Sequence, residues 1–159
     1  MGSSTEILDD ADRKKVEVRI WLQILSLEST IFGQLNSTMI AQYGLSIAKF
    51  EFLAQVQRYP EGITLGKISE NLKVTSGNVS GLVRRLLADG LITKKMSSQD
   101  RRSFIVRFTP KGRELFDLAN TLHAKTLAAC FGGIPARDLE ESLKALRFLS
   151  SHIHGHSDG

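Results

Sequence analysis

Between Gly90 and Thr109 the apolar spacing of this chain changes from helical to alternating and then back again, and no other feature limits the fold as much. Upstream of the change, Ile68, Leu72, Val74, Val79, Leu82 and Leu86 keep helical intervals on either side of a tight turn at Lys73-Val74. Thr64 and Thr75 are good N-caps and Gly90 is a good stop, so one short helix is predicted from Thr64 to Leu72 and another from Thr75 to Asp89. Two short helices crossing around a tight turn form a helix-turn-helix. Downstream, Phe104, Val106 and Phe108 alternate with Ile105 and Arg107, which predicts a strand with Ile92 to Met96 as its partner. The polar run Ser97 to Arg102 is left as a hairpin tip. A hairpin directly after a helix-turn-helix is a wing.

The flanks are helical. From about Asp9 to Gln42, Ile20, Ile24, Leu27, Ile31 and Leu35 form one stripe, and Trp21, Leu25, Phe32 and Met39 a second. Another helix is predicted from Ser46 to Tyr59, broken by Pro60-Glu61-Gly62. Thr109-Pro110 opens a long helix reaching about Phe131, and Gly132-Gly133-Ile134-Pro135 separates it from a last helix carrying Leu139, Leu143, Leu146, Leu149 and Ile153 as one seam. The terminal helices hold more apolar surface than a small lobe between them can cover, which predicts a homodimer built from both chain ends. The expected architecture is mainly α with a small β-hairpin wing. Residues 45–108 form a winged helix-turn-helix lobe, residues 9–44 and 109–154 a helical dimerisation region, and residues 1–8 and 155–159 flexible tails.

Charge points to the partner. Gly62 to Arg113 holds eleven lysines and arginines against three acids, a net of +8 inside a chain whose total is only +4. A basic block set in an acidic remainder is the footprint of a surface that meets a polyanion, with double-stranded DNA the leading candidate. An apolar content of 42% with 24% charged residues is that of a soluble globular chain. There is no apolar run of about 18 residues and no basic-then-apolar leader, so a cytoplasmic protein without membrane contact is expected. Glu6 at the sixth position removes the myristoylation reading of Met1-Gly2.

Catalytic and metal chemistry find little to stand on. Ser46-Ile47-Ala48-Lys49 fits S-x-x-K but lacks the S-D-N and K-T-G companions that such hydrolases need. Phosphate-loop, dinucleotide-binding, H-E-x-x-H and C-x-x-C patterns are missing. His152, His154 and His156 form H-x-H-x-H, but Gly155, Ser157, Asp158 and Gly159 offer nothing to fix the geometry, so a frayed tail is expected. Cys130, beside Ala128, Ala129 and Phe131, reads as buried packing. The expectation is a non-enzyme with no cofactor and no metal.

With this order of elements, the chain resembles the MarR family of bacterial transcription regulators. The residues that carry the resemblance are Phe52-Leu53-Ala54 before Pro60-Glu61-Gly62, Leu65 to Leu72, Val79 to Ile92, and Asp100-Arg101-Arg102 running into Phe108-Thr109-Pro110-Lys111-Gly112. Trp21-Leu22-Gln23-Ile24-Leu25, Pro60 to Thr64 and Val74 to Val79 further resemble the subgroup that regulates catabolism of hydroxycinnamates and related aromatic acids. That subgroup tends to carry arginines late in its first helix, suited to CoA phosphates, where this chain has Gln34-Leu35-Asn36-Ser37-Thr38-Met39. The effector implied is therefore a small aromatic ligand, either a free acid or its CoA thioester.

The resemblance implies a dimer on a pseudo-palindromic operator, with the second helix of the motif in the major groove. The positions turned to DNA are then Thr64, Thr75, Ser76, Gly77, Asn78, Ser80, Gly81, Arg84 and Arg85, with Arg101 and Arg102 of the wing in the minor groove. Asn78 can pair bidentately with adenine. Gly77 and Gly81 each cost about 1 kcal/mol of helix stability and permit close backbone approach. Many relatives have an acid where this chain has Arg84, and that acid pairs with a wing arginine. Arg84 cannot, so either Asp100 takes over as the local partner or the wing is looser and the helix more electropositive, and the second is expected because Arg84 and Arg85 add two phosphate contacts. In the same family the effector sits between the DNA-binding lobe and the dimer helices, where Trp21, Phe32, Met39, Tyr43, Phe50, Phe116 and His123 are the aromatic and apolar candidates. Two other readings stay open on the residues alone: a winged-helix module that docks an acidic protein, and a ligand-independent architectural DNA binder.

Overall fold

The computed structural model describes residues 9–72 and 76–155, with only the helical backbone described at Ser76 and Gly77. The turn Lys73-Val74, the N-cap expected of Thr75, and His156 lie outside the described residues. Helix α1, Asp10–Tyr43, starts at Asp9, whose carboxylate accepts the Asp12 amide at 2.7 Å, and ends at Gly44. Helix α2, Ile47–Arg58, is capped by Ser46. Asn36 of α1 adds a second cap, its side-chain oxygen accepting the Ile47 amide at 3.0 Å and so fixing α1 to the start of α2.

Strand β1, Ile63–Thr64, precedes α3, Leu65–Leu72, and α4, Ser76–Ala88, which are followed by β2, Ile92–Met96, and β3, Phe104–Phe108. The wing hairpin pairs Ile92 with Phe108 and Met96 with Phe104 in antiparallel register, as the alternating period predicts. The third strand was not foreseen. Ile63 and Thr64 pair with Val106 and Ile105, so the sheet runs β1-β3-β2 and the hairpin is anchored beside the head of α3. Helices α5, Pro110–Cys130, and α6, Ala136–Gly155, complete the chain, which divides into two compact units after Leu127.

The core of the first unit gathers side chains from every element of the winged lobe, among them Phe52, Leu53, Ile68, Leu86 and Val106, all fully buried. It also takes Leu35 and Met39 from the end of α1 and Phe116 and Ala119 from α5. Gly90, at φ +71°, closes α4 with a Schellman pair: its amide reaches the Leu87 carbonyl at 3.0 Å, and the Leu91 amide reaches that of Leu86 at 3.0 Å. Thr109 then joins the end of α4 to the start of α5. Its hydroxyl donates to the Gly90 carbonyl at 2.6 Å and accepts the Gly112 amide at 2.9 Å.

Outside that core the long helices are uncovered within the single chain. Before Leu35 no residue of α1 is buried, and Trp21, Leu22 and Leu27 are each more than half exposed. Helix α6 buries nothing, and Phe148 is 70% exposed. Two expectations for the C-terminal part need correction. Cys130 is half-buried at the end of α5, not core. His152 and His154 lie within regular helix, stacked on Phe148 and bonded to Ser150 respectively, because α6 continues through Gly155. No helix among the described residues is long and apolar enough to cross a membrane.

Candidate nucleic-acid interface

Helix α4 separates its two faces cleanly. Val79, Leu82, Val83 and Leu86 turn into the core, where Ile68 of α3 meets them, while Asn78, Ser80, Arg84 and Arg85 are exposed and Gly81 is half-exposed. The described members of the sequence-predicted reading face, Asn78, Ser80, Gly81, Arg84 and Arg85, thus lie on the side of α4 away from the core, while Thr75 and the side chains of Ser76 and Gly77 lie outside the described residues. Thr64 plays a different part from the others. It is half-buried in β1, and its hydroxyl accepts the Lys67 amide at 3.2 Å, which makes it the cap of α3.

Arg101 and Arg102 are exposed at the hairpin tip. Neither they nor Arg84 and Arg85 form an ion pair among the described residues, so four guanidinium groups face solvent uncompensated. The tip itself is closed by a polar network that the sequence reading missed. Asp100 accepts the Arg102 amide at 2.9 Å and the Ser103 hydroxyl at 3.0 Å. Ser97, only 8% exposed, accepts the amides of Gln99 and Asp100, and its own amide reaches the Ser103 carbonyl at 2.8 Å. The clue was present in the Ser/Asp-rich tip, whose side chains bond their own backbone. Asp100 therefore holds the turn rather than a guanidinium. Lys94, 4.4 Å above the Phe104 ring, adds a cation–π contact across the two wing strands.

The aromatic candidates for an effector pocket separate into two groups. Phe50 stacks on Phe116 at 5.3 Å and on His123 at 4.8 Å, so α2 and α5 bring these three together. Met39 is fully buried, and Tyr43 is half-buried at the end of α1. Trp21 and Phe32 do not join them. At 58% and 45% exposed, they stand on the uncovered part of α1. The S-x-x-K pattern is also accounted for: the Ser46 hydroxyl accepts the Lys49 amide at 3.3 Å, and the Lys49 ammonium lies 2.8 Å from Asp89. Among the described residues there is no group of three or more His, Cys, Asp or Glu able to hold a metal ion.

An amphipathic second helix, a three-stranded wing and an exposed cationic strip define a winged helix-turn-helix DNA-binding protein. A MarR family model matches residues 43–103. A MarR family transcriptional regulator from Silicibacter pomeroyi, known from its crystal structure, is 39% identical, with 89% of this chain and 98% of that one covered at a TM-score of 0.78. An uncharacterised HTH-type transcriptional regulator of Bacillus cereus is 26% identical over 139 residues, 87% of this chain and 89% of that protein. The fold is shared with CouR of Rhodococcus jostii RHA1, solved bound to p-coumaroyl-CoA, at 20% identity, a TM-score of 0.69, and 82% and 90% coverage of the two chains. The chain belongs to the MarR family. It is a DNA-binding transcription regulator, not an enzyme.

Proposed function

We propose that the protein is a homodimeric repressor that occupies a pseudo-palindromic operator and is released by a small aromatic ligand. The observation that carries this reading is the exposed set of Asn78, Ser80, Arg84 and Arg85 on α4 and Arg101 and Arg102 at the wing tip, its guanidinium groups without an ion pair among the described residues, in a lobe whose flanking helices leave apolar faces uncovered. Paired across a two-fold axis, two such sets would sit about one DNA turn apart, with α4 in successive major grooves and the wings in the flanking minor grooves. A ligand that prefers a dimer with the wrong spacing then lowers operator affinity by its differential binding to the two states. The Phe50, Phe116 and His123 stack supports an aromatic effector, and the fold shared with CouR is compatible with an aromatic acid or its CoA thioester.

The test is binding to DNA flanking the protein's own gene, against a scrambled duplex, at two salt concentrations, followed by addition of aromatic acids and their CoA thioesters. Selective binding by a dimer and release by one of these ligands is expected. Equal, strongly salt-dependent binding to both duplexes would instead support the architectural or protein-docking readings.

Two substitutions sharpen the assay. Arg84→Ala should reduce the slope of log K against log salt by about 0.9 for the phosphate contact it removes on each subunit. An unchanged slope would remove Arg84 from the interface. Gly81→Ala should raise thermal stability, because the added methyl meets only the Arg85 guanidinium at 3.6 Å and a helix-interior glycine costs about 1 kcal/mol relative to alanine. The same variant should bind the operator less tightly if the backbone at Gly81 approaches the groove floor. A gain in stability with full DNA affinity would place Gly81 away from the bases.

A further inference from the structure

A groove of about 280 Å³ lies between α4 and the wing. It is lined by Ser80, Val83, Arg84 and Leu87 of α4, Leu65 at the head of α3, and Lys94 of β2. Val83 is buried and Leu65 half-buried, whereas Arg84 and Lys94 are both exposed. Two cations therefore share one groove with apolar walls, one on the helix and one on the wing. Neither forms an ion pair among the described residues. Lys94 rests on the face of Phe104 at 4.4 Å, a contact within the wing that leaves its charge uncancelled. Charges of one sign between low-dielectric walls concentrate their potential, so the groove attracts an anion, and an anion relieves the repulsion across it.

We propose that a single backbone phosphate of the bound DNA fills this groove, gripped by Arg84, Lys94 and the Ser80 hydroxyl together, and fastens the wing to α4. The clamp rests on the docking proposed above, with α4 in a major groove and the wing tip in the adjacent minor groove. Those two grooves are separated by one sugar–phosphate strand, so that strand has to cross the space between α4 and the wing. The groove lies in that space. Ser80 and Arg84 are one turn apart on the same side of α4, and Lys94 stands across from them on β2. A phosphodiester offers two unesterified oxygens, enough for a forked guanidinium and an ammonium at once.

The consequence is a wing fastened to the helix by DNA itself. Arg84 and Lys94 repel each other in the free protein and share one counter-charge in the complex. Strand β2 leads directly into the hairpin tip, so holding Lys94 also sets where Arg101 and Arg102 enter the minor groove. A phosphate contact carries no sequence information by itself, but it fixes the register from which Asn78 and the wing arginines meet the bases. Lys94 thus joins the DNA-contacting residues as a positioning residue for the wing.

The test is a scan of the operator in which each backbone phosphate is replaced in turn by an uncharged methylphosphonate, bound by the wild type, Arg84→Gln, Lys94→Gln and Lys94→Arg. One position in each half-site should weaken the wild type about tenfold or more, as expected for loss of a charge-assisted contact. At that position both Gln variants should lose most of the sensitivity, Lys94→Arg should keep it, and every other position should retain its wild-type effect within about twofold. Arg84→Gln and Lys94→Gln acting on different positions would overturn the clamp. So would a Lys94→Gln loss that is equal on every duplex, which is what mere removal of the Phe104 contact would give. Fastening is read separately, without DNA. Arg84→Glu puts an anion on the helix side of the groove, so amide hydrogen exchange along β2 should slow severalfold in the free protein. Unchanged exchange would show that an anion there does not tie the wing to α4, and would overturn the fastening. Wild type that binds no duplex selectively would remove the operator reading instead, while the exchange result would still decide whether the groove can join helix and wing.

Discussion

Replacing Gly112 with alanine should cost about 3 kcal/mol or more, because a methyl group there is driven into backbone rather than into a side chain that can move aside. An added Cβ points onto the Leu91 carbonyl oxygen and lies 2.7 Å from the carbonyl carbon and 3.0 Å from the Leu91 Cα. That carbonyl also accepts the Thr109 amide at 3.1 Å, so pushing it away breaks a bond at the junction of the sheet with α5. The disturbance spreads to the Thr109 hydroxyl, which bridges Gly90 and Gly112. For a chain of this length the melting temperature should fall by about 6–12 °C at fixed protein concentration. Gly66→Ala is the control. Nothing lies within 4 Å of its added Cβ, so it should melt at or above the wild type. If Gly112→Ala melted with Gly66→Ala, the close approach of α5 to Leu91 would not exist in solution.

The same contrast between local and distant causes explains what could be read from the residues. Helices α2 to α4 and both wing strands were legible to within a residue or two, because Ser46, Thr64 and Gly90 act on their own neighbours and because the period changes at Leu91. Strand β1 was not, since two residues carry no period and its partners Val106 and Ile105 are some forty positions away. Asn36 looked like one polar residue among several on α1, and only packing of α1 on α2 makes it a cap. The division of α4 into Val79, Leu82 and Leu86 against Asn78, Ser80, Arg84 and Arg85 was legible, because a single helix determines it, although the burial of Val83 beside them was not read from the sequence. The effector candidates were chosen by residue type, which says nothing about place. Packing of α2 on α5 joins Phe50, Phe116 and His123 but leaves Trp21 and Phe32 outside. Lys49 was visible only as part of a hydrolase-like pattern, because its partner Asp89 is 40 residues further along.

Leu22→Asp combined with Leu25→Asp should convert a dimer into a folded monomer and lower operator affinity by about 10²- to 10⁴-fold. Both leucines are exposed in the single chain, at 56% and 41%, and neither belongs to its core, so the winged lobe should keep its melting transition. What the substitution removes is the cover that a second copy would provide for Val18, Trp21, Leu22 and Leu25, a row of apolar side chains that would otherwise stay in water. Each carboxylate placed there would have to be buried without a partner. The loss on DNA follows from linkage. Two half-sites held by one dimer make the second contact intramolecular, and separating the subunits forfeits an advantage of about 10²- to 10⁴-fold with no DNA-contacting residue changed. Trp21 reports the event directly, since it is the chain's single tryptophan and is 58% exposed in one chain. Its emission should shift to the red in the variant, and sedimentation should show half the mass. Wild-type protein that sediments as a monomer at micromolar concentration, or a variant that stays dimeric and binds the operator normally, would place the interface elsewhere. Monomeric protein with undiminished operator affinity would remove the two-fold site itself, and with it the pseudo-palindrome.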